Sequence, residues 1–451
     1  MNKPVSGKPT ATMVNGFDAA RLGSLPERER KLIERRQALL GPSYRLFYET
    51  PVHVTRAEGV WLYGPDGEAY LDAYNNVPSV GHCHPHVTQA IARQAAELNT
   101  HTRYLGEQIL DYSERLLATF PAELDRVMYT CTGSEAVDLA LRLARYYTGG
   151  TGLIITENAY HGVTASAAEI SPSLGPNMPL GQHVLTVPAP DTYRAEGRDV
   201  GQALAEDVAK AIAHMRRRGI VPAAFIADGI FSTDGIFADP AGLLKPVADL
   251  LKGEGVLYIA DEVQPGFGRL GSHMWGFMRH GVVPDIVVMG KPMGNGMPIA
   301  AAVMKSEIQE KFGQDIRYFN TFGANNVSIA AASAVLDVIE GEGLMQNAQV
   351  TGDYMLAGMR RLQDRFEQIG DIRGAGLFLG LEFVKDRQSR EPDGALSLKV
   401  VNALRDRRVL ISASGSGGNV LKIRPPLPFI QDNADVFLGA LEEVLSEIGS
   451  S

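Results

Sequence analysis

The sequence predicts an α/β protein: a large domain with a mostly parallel, helix-covered sheet, and a second, smaller α+β unit. Three observations carry this. Between residues 126 and 290 five apolar runs, RVMYT (126–130), GLIIT (152–156), AAFIADGI (223–230), VLYIA (256–260) and DIVVMG (285–290), alternate with helical spacing at 134–147, 202–217 and 241–252. The runs are short and nearly continuous in apolar character, as strands buried on both faces are. Beyond about residue 330 the alternation stops and a long helical region begins.

With 451 residues, 45% of them hydrophobic and 21% charged, core volume is not limiting. The net charge of -9, without long single-sign blocks, argues against nucleic acid as a partner. The opening MNKPVSGKPTATMVNG has no apolar signal region, and no segment offers the roughly 18 uninterrupted apolar residues of a membrane span. A soluble cytoplasmic protein without membrane partners is expected. Cys83 and Cys131 are too few for a disulfide framework.

In chain order, residues 1 to about 24 are rich in Gly, Ser, Thr and Pro and are expected to form a mobile or partner-wrapping arm. RERKLIERRQALL (28–40) has helical spacing; Glu29 and Glu34 interrupt its basic residues, so it is a solvated helix face. VWLYGPDGEAYLDA (60–73) is two short strands around a Pro-Asp-Gly turn, followed by helices at about 86–99 and 106–120. After the alternating segment come helix over 326–369, strand-like GLFLGLEFV (376–384), a helix near 397–407, VLKIR (420–424) and a last helix near 433–448. The division this implies is 1–72 as arm and part of the small domain, 73–330 as the large ligand-binding domain, and 331–451 as the C-terminal small domain.

In parallel sheets ligands sit at the carboxyl ends of the strands, so the residues after each run are read first. They are Thr132-Gly133-Ser134, Tyr160-His161, Asp228, Asp261 and Lys291. TCTGSEA (130–136) is strand, small-residue turn and helix start, suited to a phosphate, though equally a plain helix cap. Lys291 stands between Gly290 and Pro292 at a strand end, a constrained amine of the kind carbonyl chemistry requires. Phosphate loop, carboxylate and lysine together point to pyridoxal phosphate. Asp261 would bond its pyridine nitrogen and keep it protonated, and Lys291 would hold its aldehyde as a Schiff base and then move the proton.

ADEVQPGFGR (260–269), the strand-Gly-Lys at 289–291, TGSEA (132–136), AYHG (159–162), NTFGANN (320–326) and RPPL (424–427) resemble, in order and spacing, the class III (ω-amino acid) aminotransferases of pyridoxal phosphate fold type I. The resemblance covers about residues 45–448. It implies a large domain with a mainly parallel seven-stranded sheet, a small domain built from both termini, and a homodimer, alone or paired into a tetramer, with active sites at its interface. It also implies that Val263 and Tyr160 pack on the two ring faces, Gln264 lies near the ring hydroxyl, and His161 belongs to the cofactor set. Gly133 and Ser134 would bind the phosphate, and Thr321 would reach the neighbouring subunit's cofactor. Asp228 stands where the family usually has Glu.

GHCHPHV (81–87) invites a metal reading, but no second ligand cluster accompanies it, and the family has a GH-x-HP turn in this place. GGTGLI (149–154) precedes a strand instead of following one, so it is no dinucleotide fingerprint.

The family's carboxylate-binding arginine usually stands three residues before the paired prolines. Here that residue is Lys422, and Arg424 directly precedes Pro425-Pro426. A lysine offers a carboxylate a point charge where arginine offers a fork. Together with YNNVPSVGHCHPHV and NTHTRYL (99–105), LKIRPPL resembles a subgroup that includes phosphoethanolamine and phosphohydroxylysine phospho-lyases. Asn76, Arg103, Lys422 and Arg424 are the candidate substrate residues. The resemblance to the family as a whole implies an aminotransferase that moves an amino group from a primary amine or ω-amino acid to a keto acid such as pyruvate, through pyridoxamine phosphate. A phospho-lyase eliminating phosphate and ammonia from a phosphorylated amino alcohol is the alternative. A non-enzymatic binding protein would be expected to lose Lys291 or Asp261, and both are present.

Overall fold

The computed structural model describes residues 13–449. Its strands are β1 (Arg56–Glu58), β2 (Trp61–Tyr63), β3 (Ala69–Asp72), β4 (Arg126–Thr130), β5 (Gly152–Thr156), β6 (Val184–Val187), β7 (Pro222–Ala227), β8 (Leu257–Asp261), β9 (Ile286–Met289), β10 (Ala300–Met304), β11 (Ile369–Ala375), β12 (Phe378–Phe383), β13 (Val409–Leu410), β14 (Ser412–Ser414) and β15 (Val420–Ile423). The central sheet has the order β4-β10-β9-β8-β7-β5-β6. β10 alone runs against its two neighbours, and the other adjacent pairs are parallel.

Alternate residues of each central strand feed two cores, one per face. Ile154, Phe225, Tyr258 and Val287 join the larger, and Leu153, Ile226, Ile259 and Val288 join the core beneath the helix Gly133–Thr148. This two-sided burial is why the runs read as continuous apolar strings. Two strands of the central sheet escaped the sequence reading. β6 is only four residues at an edge, and β10 is AAAVM, whose alanines carry little strand propensity.

β11, β12, β15 and β14 form a second, antiparallel sheet, while β13 pairs in parallel with β3 of the N-terminal β1-β2-β3 meander. The helical stretch expected over 326–369 is two helices, Asn326–Gly341 and Leu344–Gln363, broken at Gly343 with φ 62°, and β11 begins at its end. The N-terminal arm corrects the sequence expectation where it is described. Asn15 is buried, its carbonyl accepts from the Tyr48 amide, and its side chain accepts from Ser412 Oγ. Residues 1–12 of that arm lie outside the described residues. Among the described residues no helix is long and apolar enough to cross a membrane.

Candidate active site

The carboxyl ends of β4, β5, β7, β8 and β9 converge on a cavity of about 210 Å³ lined by Gly133, Ser134, Tyr160, His161, Gly162, Asp228, Asp261, Val263, Gln264 and Lys291. Each strand delivers its next residues there because parallel strands end on one side of the sheet. β8 ends in two acids that part company. Asp261 faces the cavity, with Oδ2 at 2.7 Å from His161 Nδ1 and Oδ1 accepting from the Val263 amide. Glu262 is fully buried away from it, accepting from the amides of Gly276 and Phe277 at 2.8 Å, and burial raises its pKa to about 8.

At the opposite wall the helix Gly133–Thr148 begins. Thr132 and Glu135 form a capping box, so the cap reading of TGSEA is realised by these two residues. The amides of Gly133 and Ser134, in the first turn of the helix, have no intrahelical acceptor, which makes this end of the cavity an anion seat. Ser134 Oγ accepts from the Val163 amide. Gly133 packs tightly: a Cβ there would stand 3.2 Å from Val263 Cγ2, and that side chain would have to shift by a few tenths of an ångström. Gly162, at φ 139°, would put a Cβ 2.6 Å from Ser134 Oγ.

Lys291 Nζ lies 5.9 Å from the centre of the Tyr160 ring. Burial, and next the charge of Arg424, lower its pKa to about 8. Asp228 is raised above the usual carboxylate range, chiefly by burial, although Ser232 bonds it. Asp234, which accepts from Thr156 Oγ1 and the Asn158 amide, is pushed by burial to about 7. The residues present fit pyridoxal phosphate: unpaired first-turn amides at a helix start, with Tyr160, Val263, the Asp261 carboxylate and the Lys291 amine lining the same cavity. His161 Nε2, buried without a partner, shows that the imidazole behind Asp261 is held by that one contact.

From the second sheet, β15 carries Lys422 and the turn after it carries Arg424, both buried; neither they nor Asn76 are among the residues lining the cavity, which Arg424 meets through Gln264. Arg424 Nη1 donates to Asn76 Oδ1 at 3.0 Å and to Gln264 Oε1 at 2.5 Å, and its guanidinium lies 4.5 Å from the Tyr74 ring centre. Burial and the neighbouring Arg424 push Lys422 well below the ordinary lysine range. Thr321 and Arg103 do not line this cavity: both are exposed, and Arg103 stacks 3.8 Å over Phe319. The histidines of GHCHPHV face three different carboxylates, His82 with Asp72, His84 with Glu342 and His86 with Asp337.

Sequence reasoning missed Ser232, which joins Asp228 to Gln264, because Ser-Thr-Asp-Gly after a strand reads as ordinary turn chemistry. It missed Arg269 as well. That guanidinium is buried and donates to the carbonyls of Leu377 and Pro425, fixing the turn that carries Arg424. The signal was a charged residue closing an otherwise small and apolar PGFGR.

The profile of the family described as "Aminotransferase class-III" matches residues 46–445. The chain is 42% identical over 430 residues to the Drosophila melanogaster protein named "Alanine--glyoxylate aminotransferase 2-like", covering 92% of this chain and 87% of that one. It is 38% identical over 436 residues to "Ethanolamine-phosphate phospho-lyase homolog 1" of Caenorhabditis elegans, covering 92% and 93%. Among solved structures, a phospholyase from Arthrobacter in complex with phosphoethanolamine superposes with a TM-score of 0.89 at 42% identity, covering 92% of this chain and 99% of that one.

Proposed function

Because the chain belongs to the class III aminotransferase family and is therefore a pyridoxal phosphate enzyme, we propose that it is a phospho-lyase acting on a phosphorylated amino alcohol of the phosphoethanolamine kind. The observation that carries this is the pair Lys422 and Arg424. Both are buried, and among the described residues neither has a carboxylate within ion-pair distance. Holding two positive charges here without an anion is costly, which is why Lys422 lies well below the ordinary lysine range. A phosphate monoester, close to a dianion at neutral pH, neutralises both, whereas an amino acid's carboxylate brings one charge. The names of the Caenorhabditis relative and the Arthrobacter structure support the same reading.

Pyridoxal phosphate, when bound, draws the electron pair of the C–H bond beside the substrate amine toward its ring. Asp261, held by His161 and the Val263 amide, is placed to keep the ring nitrogen's proton. Lys291, with a pKa near 8, has a neutral fraction at physiological pH and is placed to take the proton from that carbon at Nζ. The freed pair forms a double bond as the carbon–oxygen bond to phosphate breaks, and Lys422 and Arg424 stabilise the departing charge. In balance, phosphoethanolamine and water give acetaldehyde, ammonia and phosphate.

The second reading, amino transfer from a primary amine or ω-amino acid to a keto acid, is favoured by the name of the Drosophila relative and uses the same Lys291 and Asp261. A homodimer belongs to the proposal too, supported by the exposed Tyr104, Leu105 and Phe322 beside Arg103 and Thr321. The test is the purified holoenzyme with phosphoethanolamine and no keto acid. Sustained release of phosphate and ammonia is expected. Bleaching of the cofactor colour without phosphate release, reversed by pyruvate, would establish the transaminase instead.

A further inference from the structure

Lys422 is not short of acids in its surroundings. Asp228 and Asp234 both lie close enough to act on its charge, yet neither forms an ion pair with it. Asp234 is tied to Thr156 and Asn158. Asp228 is folded back on its own loop: Oδ1 accepts from the amides of Ile230 and Ser232, and Oδ2 accepts from the amide and the hydroxyl of Ser232. Ser232 Oγ, donating to Asp228 at 2.7 Å, also accepts from Gln264 Nε2 at 2.8 Å, which turns Gln264 Oε1 toward Arg424.

We propose that Ser232 is the positioning residue that sets anion specificity, by holding Asp228 away from Lys422 and aiming Gln264 at Arg424 so that both cations stay open to the substrate's phosphate. The inference rests on the phospho-lyase reading and deepens it. Ser232 is fully buried and touches no substrate atom in this scheme; it acts through two neighbours. Without its hydroxyl, Asp228 loses one of its four bonds and Gln264 loses its acceptor. The carboxylate is then free to swing toward Lys422, on whose charge it already acts, and a phosphate must displace it. The length of Asp matters here: it permits the tight fold-back onto residues 230–232.

The test measures binding of aminoethylphosphonate, whose carbon–phosphorus bond resists elimination, by the visible absorbance of the holoenzyme, with ethanolamine as the anion-free control. Wild type, Ser232→Ala and Ser232→Ala with Asp228→Asn are compared, and retained cofactor colour shows that each has folded. Ser232→Ala should bind the phosphonate about tenfold more weakly, the size of one charge-assisted hydrogen bond, with ethanolamine binding unchanged. The double variant, whose amide cannot neutralise Lys422, should recover most of the loss. Phosphonate binding by Ser232→Ala within about twofold of wild type overturns the proposal. So does a double variant as weak as the single one, which would make Ser232 a packing residue. A wild-type enzyme that holds the phosphonate no better than ethanolamine overturns the phospho-lyase reading itself, a result separate from the other two.

Discussion

The carboxyl ends of β7 and β8 and the carboxyl end of β15 face one another across the site, and they treat charge in opposite ways. On the large-sheet side Asp228, Asp234 and Asp261 are each engaged by amides, hydroxyls or an imidazole. On the small-sheet side Lys422 and Arg424 meet neutral acceptors and ring faces. A buried charge with all its partners in place is fixed geometry. A buried base without a counter-ion is left to a ligand: burial and Arg424 hold Lys422 well below the ordinary lysine range, and an anion bound there would favour its charged form again.

The contrast is broken most directly at Lys291, which belongs to the large-sheet side but works as chemistry. Lys291→Ala should lower phosphate release from phosphoethanolamine by about 10³-fold or more, the scale of a lost acid–base group, while the melting temperature changes little. A variant within tenfold of wild type would mean that the proton is moved from elsewhere.

Lys422→Met addresses the small-sheet side. Removing a buried amine that no carboxylate pairs and filling its volume should raise the melting temperature, and at the same time raise KM for phosphoethanolamine by roughly ten- to a hundredfold. Opposite signs for stability and affinity are the signature of a charge kept for a ligand. A falling melting temperature would show instead that Lys422 is stabilised by its own protein surroundings.

A smaller effect separates the two sides by pH. Burial and Arg424 set Lys291 near 8 in place of 10.5, so its reactive neutral form grows from about a tenth at pH 7 to about nine-tenths at pH 9. Cofactor capture by apo-protein, followed by absorbance, should therefore accelerate about tenfold over that range and then level off. A rate still climbing tenfold per unit beyond pH 9 would indicate an ordinary lysine. Arg424→Gln removes a cation that depresses this amine, and should move the plateau to higher pH.

The same contrast explains what was legible in the sequence. Asp261, Lys291, Tyr160, His161 and Gly133-Ser134 follow apolar runs directly, and a parallel sheet sends all such residues to one side. The large sheet was readable for the same reason, apart from the alanine-rich β10 and the short β6. Lys422 and Arg424 were readable only as a departure from a pattern. That they lie buried without carboxylates depends on how β15 packs over the large sheet, which no local spacing encodes. Ser232 was invisible because its partners are four and 32 positions away. Thr321 and Arg103, exposed on this chain, depend on a second subunit for any part in the site.

The histidine turn at 82–86 supplies the control with the least expected effect. His86 and Asp337 are 2.8 Å apart with roughly half of each side chain exposed, so this pair has what Lys422 lacks, a counter-charge, and lacks what Lys422 has, burial. Water already screens both partners, and an exposed pair of this kind contributes under about 1 kcal/mol. His86→Ala should therefore leave phosphate release within about twofold of wild type and the melting temperature nearly unchanged, with or without a chelator. If it instead matched Lys422→Met in its effect on KM, burial without a partner would not be what distinguishes the anion end of the site, and the role given to Lys422 would fall with it.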